Sequence, residues 1–245
     1  MRGETLRRAS SPEPVPRQLL PRYRRSAASL LVACIAITAG LVAYLAGQNG
    51  LAWPNASFDP WIQAEMGHFP FLLRWLPDVG TLRPVTLMTL ALMAVGAATR
   101  NWLGAVLAGL AEALAVGLTE YVLKPYVGGH IDQAFPSGHA ASMFALATSC
   151  AVLLAEPPHG THGRRILAFL KFRAVRLLLV LLALLLAAAV SAAQVAVAAH
   201  AVTDTVGGAA VGVGVVLACA FALDLVTGQA YRARRAQAAQ PGPDR

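Results

Sequence analysis

Six stretches of this chain are apolar and nearly free of charge: 26–47, 84–99, 102–123, 139–155, 177–199 and 205–226. A helix needs about 20 such residues to cross the hydrocarbon of a bilayer, with a range of roughly 17 to 25. Five of the stretches meet that length outright. The second is short unless Arg83 or Arg100 at its ends snorkels to an interface. The pattern therefore predicts an all-α polytopic membrane protein with six transmembrane helices over 26–228. The first stretch is too long for a cleavable signal region and reads as a retained anchor. Bulk composition agrees, since 57% of the 245 residues are hydrophobic and only 13% are charged.

A net charge of +8 invites a nucleic-acid reading, but its distribution argues against one. With the spans numbered, seventeen of the twenty Lys and Arg residues fall on one side, leaving Arg74, Arg83 and Lys124 on the other. Cationic flanks stay in the cytoplasm, so both termini are expected inside a plasma membrane. The basic segments then meet anionic membrane lipids rather than nucleic acid. Residues 1–25 and 229–245 read as disordered cytoplasmic tails, and 48–82 as an external loop. Trp53, Phe58, Trp61, Phe69, Phe71 and Trp75 suit that loop to the membrane interface, with a short amphipathic helix as one form it could take. Cys34, Cys150 and Cys219 all lie inside apolar stretches and imply no disulfide framework.

Topology places the reactive residues independently of any motif. Lys124 ends the third span on the outer side, and Ser137, Gly138 and His139 open the fourth. His200 ends the fifth there, and Asp204 opens the sixth. Pro136-Ser137-Gly138-His139 is either a plain loop with a helix cap or a phosphate cradle. Unpaired N–H groups at a helix start grip an anion, glycine lets backbone come close, and histidine titrates near neutrality. His200 and Asp204 are four residues apart, which puts two side chains on one helical face. A carboxylate held on one imidazole nitrogen fixes the tautomer and leaves the other free to attack. No HExxH and no run of three ligands occurs, so neither metal nor cofactor is expected. Glu112 and Glu120 are acids inside the third span, and Glu120 stands one turn before Lys124, within pairing reach.

Together these residues resemble the type-2 phosphatidic acid phosphatase (PAP2) superfamily. Its three signatures appear here as Lys124 through Asp132, Pro136 to His139, and Ala193-Gln194 leading to His200 and Asp204. The resemblance implies a six-helix bundle and a metal-free phosphatase acting on a lipid phosphate: a polyprenyl pyrophosphate, a phosphatidic acid type or a glycolipid phosphate. His200 would be the nucleophile, Asp204 its orienting carboxylate and His139 the general acid and base. Lys124, Ser137 and Gly138 would hold the phosphate oxygens. Departures are equally specific. Ile131 and Asp132 stand where the family has Arg-Pro, and Ala193-Gln194 where it has Ser-Arg. Each missing guanidinium is worth roughly 3 kcal/mol of transition-state stabilisation, by analogy with single oxyanion donors. His130, Arg83 and Gln194 are the groups in the chain that could compensate. A phosphotransferase of the same fold, and an impaired relative that binds or moves anionic lipid, remain open. A six-span transporter would need more polar residues at mid-depth than the chain has.

Overall fold

The computed structural model describes residues 18–46, 54–127, 135–155 and 170–238. Among them there are helices and turns and no strand. The elements are α1 (Arg24–Ala46), α2 (Asn55–Gly67), α3 (Pro70–Val79), α4 (Leu82–Ala98), α5 (Trp102–Gly117), α6 (Lys124–Val127), α7 (Gly138–Leu154), α8 (Arg173–Ala196) and α9 (Val202–Ala238). A π-helical stretch, Leu118–Leu123, joins α5 to α6, making one continuous helix Trp102–Val127.

Each of the six apolar stretches contains a helix. Four are long and apolar enough to cross a membrane, and a fifth qualifies if α3 and α4, bent by 64° at Gly80 and Thr81, count as one span. The stretch at 138–154 is shorter, 17 residues, or about 25 Å at 1.5 Å per residue against a core near 30 Å. Six crossings therefore remain an expectation here. That short helix is the centre of the bundle, where it packs on α4, α5, α8 and α9.

The bundle is built inside out relative to a water-soluble one. The outward face of α8 carries exposed Leu177, Leu178, Leu181, Leu182 and Leu185, and α1 exposes Leu30, Val32 and Ile35. Inward positions are small: Ala108, Ala111 and Ala115 of α5, Ala141 and Ala145 of α7, Ala187 of α8. Lipid tails are as apolar as leucine, so helices associate by close backbone approach at small residues. Gly208 and Gly212 of α9 show why: a Cβ at Gly208 would strike the Ser137 carbonyl, and one at Gly212 the Ala141 carbonyl.

Residues just before 26 are tied to the bundle. Asp224 of α9 accepts the N–H groups of Leu19 at 2.6 Å and Leu20 at 3.1 Å, and both leucines are buried. At the other end α9 continues past 228, to Ala238. The segment read as an external loop holds two helices, α2 and α3, packed on α8, and α2 also touches α9.

Candidate active site

The start of α7 is built as a cap and as a cradle together. Ser137 is extended, fully buried, and accepts the Ala140 N–H at 3.4 Å as the N-cap. Its own N–H donates to the Asp204 carbonyl at 2.9 Å, tying α7 to α9. That leaves the N–H groups of Gly138 and His139 without a partner among the described residues. Helix starts in this condition present positive charge to an anion.

Lys124 donates to Glu120 at 2.6 Å, the pairing that their spacing allows. The pair stands over Gly138, where a Cβ would run into a Glu120 carboxylate oxygen and lie 3.8 Å from the Lys124 ammonium. The π-helical stretch contains Glu120 and ends at Leu123, so it re-aims the helix just before Lys124.

Across from Lys124 the two histidines meet. The rings of His139 and His200 lie edge to face, centroids 6.2 Å apart. His200 lies in the turn between α8 and α9, not on a helix with Asp204, and Asp204 is in the first turn of α9. The pair meets all the same, with His200 Nδ1 3.7 Å from an Asp204 oxygen. Nδ1 has no hydrogen-bond partner among the described residues, and the gap is longer than a hydrogen bond, a spacing common in unliganded sites. The ring's other nitrogen, Nε2, is the one turned from the carboxylate. Gly80, at the α3–α4 bend, lets the chain press on the opposite side of His139, since a Cβ there would be 3.0 Å from the ring.

Sequence reasoning missed how the His200 turn is held. The N-cap of α9 is Ala201, which has no side-chain acceptor for the first N–H groups of the helix. Asp204 reaches back to the Ala201 N–H at 2.9 Å, as the acid of a capping box does. The next two donors are taken by α2. Asp59 accepts the Val202 N–H at 2.9 Å, and Asn55 accepts the Thr203 N–H at 3.1 Å while donating to the Thr203 hydroxyl at 2.9 Å. Burial pushes the Asp59 carboxyl above its ordinary range; the Val202 N–H opposes this, and the charge of Asp204 adds to it. The signal available was Asn55 and Asp59 at i, i+4 on one face of an otherwise interfacial helix.

The expected compensating groups are placed differently. Gln194 is buried, and its amide donates to the Pro77 carbonyl at 3.2 Å, stitching α8 to α3. Its carbonyl accepts the His200 N–H at 3.3 Å, so it shapes the histidine turn through its backbone. Arg83 lies on the first turn of α4 with its side chain exposed, and it makes no ion pair among the described residues. His130, with Ile131 and Asp132, lies outside the described residues.

Fold and site together define a class: a helical membrane protein with a lysine and a carboxylate-backed histidine pair gathered at one end of its bundle. A family model described as the PAP2 superfamily matches residues 120–224, so this stretch of the chain is similar to that superfamily. It opens on Glu120 and takes in Lys124, α7, both histidines and Asp204. No curated protein and no solved structure matches the chain.

Proposed function

We propose that the protein is an integral membrane phosphatase that hydrolyses a lipid phosphate through a phosphohistidine. The observation that carries this is the meeting of His139 and His200 beside the free N–H groups of α7 and next to Lys124. The phosphate sits against the Gly138 and His139 N–H groups and Lys124, where an anion is favoured on both counts. His200 Nε2 forms the new bond to phosphorus as the bond to the leaving oxygen breaks, and His139 supplies a proton to that oxygen. Asp204 stabilises the positive charge that develops on the His200 ring. His139, now neutral, takes a proton from water, whose oxygen attacks phosphorus and frees His200 and inorganic phosphate. The apolar bundle faces lipid, so the substrate's tails stay in the membrane while its phosphate reaches the polar mouth.

In this reading the helices of 26–228 make six crossings, both termini lie in the cytoplasm, and the site opens on the external face of the plasma membrane. The charge asymmetry supports that orientation. A specific observation favours a second reading, binding of a lipid phosphate without turnover: the Gln194 amide is engaged with Pro77 and, being neutral, brings no positive charge in place of arginine. One assay separates the two. Purified protein given lipid phosphates should release inorganic phosphate, and His200→Ala should lower the rate by at least a hundredfold, by analogy with loss of a catalytic nucleophile. Equal rates for both proteins sink the histidine mechanism, and tight binding with no release supports the second reading.

A further inference from the structure

A cavity of about 390 Å³ opens between α1 and α8 at the end of the bundle away from the histidines. The helices themselves establish the separation. α7 begins at the histidine cluster and reaches the cavity with Ala151 and Leu154, and α8 begins at the cavity and ends near His200. The walls are apolar, with Leu20 and Leu30 on one side, Leu177 and Val180 on the other and Leu217 beneath. Leu20 is held in place by the Asp224 carboxylate.

The rim is cationic. Arg173 and Arg176 both line the cavity, and among the described residues neither pairs with a carboxylate. Arg173 is exposed. One terminal nitrogen of Arg176 donates to the Leu170 and Lys171 carbonyls, at 3.0 and 3.1 Å, which orients the guanidinium; among the described residues its other N–H groups have no partner. Tyr23 adds a hydroxyl at the same rim. Arg22, Arg24, Arg25 and Lys171 lie on the adjoining chain, so this is the strongly basic end, which the positive-inside rule assigns to the cytoplasm.

An apolar slot between membrane helices, lined at its rim by arginines, matches one chemistry. We infer that this cavity binds an anionic phospholipid of the inner leaflet, with an acyl chain between α1 and α8 and the phosphate on Arg173 and Arg176. Basic pockets between helices on the cytoplasmic side hold acidic head groups in this way. The site is separate from the phosphate chemistry at the far end, and the lipid there is a bound partner rather than a substrate.

The test is thermal unfolding of the detergent-solubilised full chain titrated with phosphatidylglycerol, with phosphatidylcholine, or with inorganic phosphate alone. Phosphatidylglycerol is expected to raise the midpoint saturably, and the other two are not. Arg173→Gln should weaken the apparent affinity about fivefold, the effect of one cationic contact at a lipid surface. Ala151→Leu, which fills the slot and leaves the rim, should remove the saturable response, while His200→Ala should keep it. Equal shifts from phosphatidylcholine, or a full shift from inorganic phosphate, overturn the inference. So do unchanged titrations in Arg173→Gln and Ala151→Leu, which would mean that another part of the chain fills the slot or that the charge effect is diffuse.

Discussion

Glu120 holds the lysine that a phosphate would need. Its carboxylate bonds Lys124 and lies against Gly138, so the chain places its own anion at the mouth of α7. In the proposed reaction, substrate phosphate must share or displace it. Glu120→Gln is therefore expected to lower KM severalfold with a smaller change in kcat, because lysine is released to the substrate; a raised KM would mean that the pair only props the lysine in place. Gly138→Ala is a sharper probe. Its methyl collides with the Glu120 carboxylate at a helix start where the proposed phosphate must also fit, so kcat/KM should fall at least tenfold with little loss of thermal stability, since the clash is with the far end of a flexible, partly exposed side chain that can move. Pro-Ser-Gly-His was legible from sequence as a cap or a cradle. The structure makes the two readings compatible: the Ser137 side chain satisfies one N–H of the first turn and leaves two others without a partner among the described residues.

At the scale of elements, the capping of α9 by α2 has a measurable consequence. Asn55→Ala removes an acceptor and a donor from the first turn of α9 and should cost about 1–2 kcal/mol, read as a lower unfolding midpoint. Activity should fall further than that loss explains, because the same turn carries His200. The Asp59 carboxyl titrates above its ordinary value in the fold, so the folded state binds its proton more tightly than the unfolded chain does. The favourable part of that linkage is present below the unfolded pKa and is lost as pH rises through the folded one. Asp59→Asn keeps an oxygen for the Val202 N–H without the charge. The variant should flatten the fall in thermal midpoint over the pH range just above the ordinary carboxylate value, and a wild-type slope in the variant would count against this. Helix contacts matter at the same scale. Gly212→Leu cannot be accommodated against the α7 backbone and should prevent the folded protein from accumulating in the membrane.

For the whole molecule, the prediction is orientation. Ser57→Cys on α2 should react with an impermeant thiol reagent in intact cells, and Arg234→Cys on α9 only after permeabilisation, the reverse pattern overturning the assigned sidedness. All three native cysteines are in apolar helices, two of them buried, which keeps the background low. The sequence alone determined the helical membrane class and the position of each apolar stretch, and it singled out Lys124, Ser137, Gly138, His139, His200 and Asp204 as candidates that the fold brings to one end of the bundle. Hydrophobic length and charge asymmetry are local properties that a bilayer reads one segment at a time. It could not determine that 138–154 is the buried hub of the bundle, because an apolar run looks alike whether lipid or protein surrounds it. Nor could it show that Gln194 turns toward Pro77, or that Asn55 and Asp59 cap a helix that begins more than 140 residues later in the chain. Those are pairings between distant segments, made by whichever donors and acceptors packing brings together, and only the tertiary structure decides them.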